Sequence, residues 1–269
     1  VLDEEAEIID PKQPKVLSYQ KDKATLSFDH VNYRYTGAEN LALEDVDFSV
    51  QSGETVAIIG GTGSGKTTLV NLIPRLYDIE SGTIKINGIN ITEVTQENLR
   101  EIVGFVPQKA VLFTGTIREN MQYGKENATD EEIWHALEIA QANDFVSEME
   151  QGLDSWVEQG GGNFSGGQRQ RLAIARALVK PADVFVFDDS FSALDFKTDA
   201  NLRQALNASV QDGILGIFAQ RVSTVMDADT ILVLEEGKVV GKGTHEELLK
   251  DNETYQEIVH SQLREEDLA

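Results

Sequence analysis

Two kinds of hydrophobic pattern alternate along the chain. From Thr25 the apolar positions Leu26, Phe28, Val31, Tyr33 and Tyr35 recur at roughly every second residue, and 48–50 continues in that style. Such alternation predicts strands with one solvated face, here placed at a sheet edge. The stretch 83–91 reads T-I-K-I-N-G-I-N-I, and Asn87-Gly88 between alternating apolar residues predicts a type I′ hairpin. By contrast, 55–59 (T-V-A-I-I) and 184–187 (V-F-V-F) are continuous apolar runs bounded by Gly or Asp. That pattern predicts parallel strands covered on both faces, and 213–219 and 230–234 add two more. Helical periods fall between them. Thr129-Asp130-Glu131-Glu132 is a capping box opening a helix with Ile133, Ala136, Leu137 and Ala140 on one face, and 244–247 is a second box. Strands alternating with helices predict an α/β parallel sheet with a small antiparallel portion near the N-terminus.

Residues 1–24 break this rhythm. Five of the first ten are acidic, and Pro11 and Pro14 interrupt a Lys/Gln stretch without periodicity, predicting a solvated connector. The chain opens on Val1 rather than Met and shows no signal peptide, so it is expected to be a piece of something longer. Its 269 residues suit one large domain or two small ones. The balance of 23 Lys+Arg against 46 Asp+Glu leaves a net charge of −23, which argues against nucleic acid and anionic lipid as partners. No apolar run approaches the ~20 residues that span a bilayer. With no cysteine there is neither a disulfide framework nor a thiolate metal site.

The sharpest chemical signal is Gly60-Gly61-Thr62-Gly63-Ser64-Gly65-Lys66-Thr67, which follows the run 55–59 and opens a helical pattern near Lys66. Glycines let the backbone curl so that successive N–H groups face phosphate oxygens. Lys66 supplies a mobile positive charge for β- and γ-phosphates, and the Thr67 hydroxyl can ligate Mg²⁺. The run 184–187 ends in Asp188-Asp189, where a second phosphate-site element belongs: Asp188 to hold Mg²⁺, Asp189 to face an attacking water. Between them, Phe164-Ser165-Gly166-Gly167-Gln168 precedes a basic amphipathic helix that stops at Lys180-Pro181. Ser165 is a good N-cap and the glycines leave amides unobstructed, giving a second anion site. Two anion sites a hundred residues apart imply a face-to-face dimer. Arg169, Arg171 and Arg176 are assigned to bracing this helix, Trp134 and Trp156 to packing, and His30, His135, His245 and His260 to the surface.

With these motifs in this order, residues 25–262 resemble the nucleotide-binding domain of an ATP-binding cassette (ABC) transporter. The glycine-rich loop, together with Thr68, resembles the family's Walker A, V-F-V-F-D-D its Walker B, and F-S-G-G-Q its signature, usually L-S-G-G-Q. Gln108 in F-V-P-Q corresponds to the Q-loop, which in the family contacts Mg²⁺ and the transmembrane domain. Tyr35 stands where the family stacks an aromatic ring on adenine, and Ser192-Ala193-Leu194-Asp195 resembles the D-loop. The phrases L-F-T-G-T-I-R-E-N (112–120) and G-Q-R-Q-R-L-A-I-A-R-A-L are like those of exporters, and Glu158 matches a segment that touches intracellular loops there. The resemblance implies a P-loop NTPase (RecA-like) α/β core with an N-terminal antiparallel subdomain and an inserted helical subdomain at about 109–180. It also implies ATP and Mg²⁺ as cofactors, 1–24 as a linker from a transmembrane domain, and 25–269 as the cassette at the cytoplasmic face of the plasma membrane.

Two positions depart from the family pattern. Asp189 replaces the usual Glu, and Gln220 replaces the usual His of the switch. Asp is one methylene shorter, and a reacting group withdrawn by ~1 Å costs roughly 10²-fold. Gln220 hydrogen-bonds a γ-phosphate but carries neither charge nor proton, a loss of about 10²–10⁴-fold where acid–base work is done. Both changes fall on the half-site of the chain's own Walker A, while its signature is intact. The expectation is therefore ATP binding with impaired hydrolysis, as in the degenerate subunit of a heterodimeric exporter whose Ser165, Gly166, Gly167 and Gln168 complete the site of a non-identical partner. Slow turnover as a homodimer is the alternative. A soluble non-transport ABC ATPase is disfavoured because no coiled-coil insertion separates Walker A from the signature.

Overall fold

The computed structural model describes residues 8–266, so the outermost residues of the expected linker and cassette lie outside it. Strand β1 (Thr25–Tyr33) lies between β2 (Leu43–Gln51) and β4 (Ser81–Ile86) in an antiparallel sheet that ends on the short β5 (Ile89–Asn90). The edge placement expected for β1 is thus corrected, because alternation reports one wet face and not an unpaired side. The alternation also slips. The pairing registers shift between Phe28 and Val31, where His30 adopts φ 48°, and Tyr35 falls beyond the strand. Gly82 is required opposite this bulge, since a Cβ there would lie 2.3 Å from the His30 carbonyl oxygen. Asn87 and Gly88 take φ 52° and 75°, both positive as a type I′ turn demands.

A six-stranded sheet forms the centre, in the order β12 (Lys238–Gly243), β11 (Thr230–Glu235), β3 (Thr55–Ile59), β10 (Ile214–Ala219), β9 (Val184–Asp188), β6 (Val103–Val106). All but the edge strand β12 run parallel. The continuous apolar runs have the physical cause expected of them. Val56 and Ile58 pack into one core, with α1 (Lys66–Leu72), α2 (Gln96–Ile102) and the antiparallel sheet. Ala57 and Ile59 pack into the opposite core. That second core takes in α6 (Gly166–Leu178), α7 (Phe196–Ser209), α8 (Val222–Val225), α9 (His245–Asp251) and α10 (Glu253–Glu266). It continues into a helical part built from α3 (Ile117–Gln122), α4 (Asp130–Ile139), α5 (Asn143–Ser147) and a ribbon of β7 (Gly115–Thr116) with β8 (Trp156–Val157). Capping boxes open α3, α4, α6 and α9. No helix among the described residues is long and apolar enough to cross a membrane.

Three surface expectations are corrected in part. Residues 8–24 are mostly exposed, as expected, but they are pinned at points the sequence did not signal: Leu17 is 2% exposed, and its N–H and C=O pair with the Asn98 side chain at 2.7 and 2.9 Å. The Gln20 amide donates to the fully buried Asp183 carboxylate at 3.0 Å, and Lys15 pairs with Glu93 at 2.8 Å. One buried leucine and backbone-to-side-chain bonds leave no periodicity to read. Trp156 is 57% exposed, whereas Trp134 does pack against the helical core. His245 is half-buried with Nδ1 2.7 Å from the Tyr255 hydroxyl; His30, His135 and His260 are exposed.

Candidate functional site

The sheet ends strand β3 at a tight loop before α1, and the glycines there have distinct jobs. A Cβ on Gly60 would lie 2.2 Å from the Leu234 carbonyl and 2.5 Å from Ser64 Oγ, so only glycine lets the loop pass β11. Gly65 has φ 106° and forms the N-cap of α1, a conformation closed to other residues without strain. Gly63, at φ 79°, faces open space that a side chain would fill. Lys66 folds back to donate to the carbonyls of Gly60 and Gly61. Burial pushes its ammonium pKa down, against the pull of Asp189 and Asp188.

The loop borders a cleft of about 1190 Å³ lined by Tyr35, 62–68, Gln108, Asp188, Asp189 and Gln220, among others. Tyr35 reaches the loop directly, its hydroxyl 2.7 Å from Thr68 Oγ1. Its ring meets Tyr33 and Tyr77 edge-on at 5.0 and 5.7 Å. On the floor, burial and then the charge of Asp189 raise the Asp188 carboxyl to about 6. Asp188 is 7% exposed. Its carboxylate accepts no hydrogen bond from the described residues, leaving its oxygens to a ligand from the cleft. Asp189 adopts φ 43° and is fixed by its own amide, which donates to the Phe218 carbonyl at 2.6 Å. Its Oδ2 accepts from Gln108 Nε2 at 3.2 Å. Burial raises its pKa, against the opposing effects of that bond and of Arg221.

Mg²⁺ fits this floor. Among the described residues no three His, Asp or Glu side chains gather as a self-sufficient metal centre. Asp188, with Thr67 and Gln108 lining the same cleft, instead offers the sparse oxygen set that a magnesium shared with ligand phosphates uses.

The remaining predicted residues lie outside the cleft lining. Gly60 and Gly61 contribute their carbonyls to Lys66 from beneath. Ser165 is the exposed cap of α6: its Oγ accepts from the Gln168 amide at 3.2 Å, and Gln168 Oε1 accepts from the Ser165 amide at 3.0 Å. Gly166 is exposed, and Gly167 approaches the Ala193 carbonyl so closely that a Cβ would sit at 3.3 Å. Ser192 Oγ donates to the Asp189 carbonyl at 2.9 Å. Asp195 caps α7, and bonds from the Thr198 amide and hydroxyl hold its carboxyl below the usual range. Arg169, Arg171 and Arg176 donate to carbonyls of Phe164, Gln141 and Val111, bracing the helix as expected.

The structure adds cleft residues that the sequence did not single out. Glu236 and Gly237, at φ 46° and 79°, turn β11 into β12 at the rim. There Gly237 donates to the Ser64 carbonyl at 2.9 Å, and its own carbonyl accepts from the Glu44 amide at 2.8 Å. Gly237, following the apolar run 230–234, was the available turn signal for this hairpin.

Comparison with known proteins converges on one family. A family model described as ABC transporter matches residues 43–192. The chain is 46% identical over 233 residues to an uncharacterised ABC transporter ATP-binding protein of Mycobacterium tuberculosis, covering 86% of this chain and 40% of that protein. It is 40% identical over 262 residues to an ATP-dependent lipid A-core flippase of Desulfotalea psychrophila, covering 97% and 45%. Among solved structures, a bacterial Atm1-family ABC exporter with ATP bound superimposes with a TM-score of 0.91 at 36% identity, over 97% of this chain and 45% of that one. The chain thus spans less than half the length of these relatives.

Proposed function

Because the chain belongs to the ABC transporter family, we propose that it is the nucleotide-binding part of an exporter: it binds Mg-ATP in its own cleft, hydrolyses it poorly, and completes a second site on a non-identical partner. The observation that carries this reading is the segregation of its groups. One cleft gathers the phosphate loop, Tyr35, Gln108, Asp188, Asp189 and Gln220, while Ser165, Gly166 and Gly167 stand outside it on an exposed helix cap.

Within the cleft Tyr35 offers its ring to the base and the amides of 62–68 face the phosphates. Lys66 exchanges the Gly60 and Gly61 carbonyls for phosphate oxygens. Thr67, Gln108 and Asp188 would hold a magnesium ion, which would supply charge neutralisation and polarisation at the terminal phosphoryl group. Asp189 is the weak point. Its short side chain is already engaged by Gln108, and Gln220 supplies no proton. The partner in turn offers its ATP to Ser165, Gly166, Gly167 and Gln168, across D-loops carrying Ser192 and Asp195.

Transmembrane domains are the other partners. The exposed Val111, Phe113 and Tyr123, with Trp156 and Glu158 on the ribbon side, form the surface of the helical part that suits them. Phe113 and Tyr123 lie 4.6 Å apart, and Arg176 sits over the Phe113 ring. Residues 8–24 would then join the last membrane helix at the cytoplasmic face of the plasma membrane. One observation favours a second reading, slow turnover as a homodimer: burial raises the Asp189 pKa and makes it a stronger base.

Turnover by the purified chain decides between them. Binding of Mg-ATP is expected with little hydrolysis, and the double change Asp189→Glu with Gln220→His should raise the rate by at least about tenfold. Robust hydrolysis by the unmodified chain, no faster after the double change, would sink the impaired-site reading. Adding a cognate partner should restore turnover, and Ser165→Ala should then remove it.

A further inference from the structure

Gln220 follows the last residue of strand β10 and lines the cleft with its side chain exposed. Locally, the turn that carries it, 220–222, has a long bond from the Thr224 amide to the Arg221 carbonyl at 3.2 Å. Arg221 is the N-cap of α8 and makes no side-chain cap bond. The turn is gripped more closely from α10, forty residues on. Gln262 Nε2 donates to the Gln220 carbonyl at 2.7 Å, and its Oε1 accepts from the Val222 amide at 2.8 Å. The amide of Val222 is one of the donors a helix start leaves orphaned, so one planar side chain satisfies both ends of the turn. The helix that delivers it is anchored, with Tyr255 fully buried and Val259 9% exposed in the core. Within the turn, Arg221 reaches the Ser192 carbonyl at 3.5 Å and lowers the Asp189 pKa.

We propose that Gln262 is a positioning residue for nucleotide recognition: by bracketing 220–222 it aims the Gln220 amide at the third phosphate and so sets the preference of the cleft for ATP over ADP. This rests on the reading of the cleft as an ATP site. The effect is selective because the other contacts are built elsewhere. Tyr35 and 60–67 hold the base and the inner phosphates from β3, α1 and the segment after β1, and among the described residues no hydrogen bond or ion pair ties them to the 220–222 turn. Releasing the turn therefore weakens only what the outermost phosphate contributes.

The test uses the whole chain and combines amide exchange with ATP and ADP affinities measured separately. Gln262→Ala should speed exchange at Val222 and weaken ATP by about threefold to tenfold, the scale of one net hydrogen bond, while leaving ADP within about twofold. Gln262→Glu keeps the acceptor for Val222 but loses the donor to Gln220. Val222 should then stay protected while the ATP preference still falls, a split that a merely structural glutamine would not produce. An unchanged ATP/ADP ratio in Gln262→Ala, with a ratio lowered by Gln220→Ala, overturns the positioning role and leaves the site reading standing. If Gln220→Ala also leaves the ratio unchanged, the placement of Gln220 at the third phosphate fails and the inference falls with it. Equal losses of ATP and ADP in Gln262→Ala would mark a general loss of structure and likewise overturn it.

Discussion

Asp188 should destabilise the protein that it equips. Its carboxyl is raised from 3.8 to about 6, chiefly by burial and then by Asp189, and this already includes the opposing attraction of Lys66. In the unfolded chain the same group titrates at its ordinary value. A folded pKa raised above the unfolded one means full stability below the unfolded value, lost as pH rises through the folded one. A tenfold change in proton affinity corresponds to about 1.4 kcal/mol, so the ionised Asp188 costs at most about 3 kcal/mol above pH 7. Solvent from the open side of the cleft screens some of this, leaving about 2 kcal/mol.

Asp188→Asn removes the charge with almost no change of shape. Without magnesium or nucleotide it should therefore melt about 5 °C higher than the parent at pH 8, the increase about 2 kcal/mol gives in a domain of this size. Calorimetry or circular dichroism in a chelating buffer measures it. At pH 4.5 the folded carboxyl is protonated and the unfolded one only partly so, and the advantage should shrink to about a third. A gain that is the same at both pH values, or a variant less stable at pH 8, would refute the linkage argument.

Two other consequences are direct. Gly60→Ala should abolish ATP binding because its methyl would collide with the Leu234 carbonyl and Ser64, whereas Gly61→Ala, with nothing within 4 Å, should retain fold and most affinity; a nucleotide titration of both compares them. Leu17→Ala should cost about 2–3 kcal/mol in urea denaturation if residues 8–24 are docked in solution, and under about 0.5 if they are a loose tether.

The sequence was most legible where one local rule decides the outcome. The capping boxes at Thr129 and Thr244 and the positive-φ pair Asn87-Gly88 need only their neighbours, and each formed as its residues dictate. The glycine-rich loop was readable because its backbone must curl. What escaped depends on residues distant in sequence. The β1 bulge at His30 is matched by Gly82, and Asp183 collects Gln20 and Asn87 from two other segments. The Gln262 bracket spans forty residues with no motif at all. Tyr35 was placed by family pattern alone, since beyond the bulge the two-residue period no longer says which face a side chain takes.

The charge of the cleft leads to a last prediction. The whole chain carries −23, yet the ligand is itself a polyanion. Three cations line the cleft, Arg34, Lys66 and Lys238. Arg34 pairs with Glu80 at 2.9 Å and Lys238 with Glu44 at 3.1 Å, so Lys66 faces Asp188 and Asp189 without a carboxylate partner in hydrogen-bond contact. One ammonium cannot offset two carboxylates and a triphosphate together, so the loop amides and the metal must supply the difference. Chelating magnesium should weaken ATP binding to the parent by more than about tenfold, or about 1.4 kcal/mol. In Asp188→Asn the metal-free affinity should rise, because one repelling charge is gone, and the gain from magnesium should shrink, because one ligand is gone. Titrations with and without chelator on both proteins give the two factors. If magnesium improves both by the same factor, Asp188 neither repels the nucleotide nor holds its metal, and the assignment of the cleft floor is wrong.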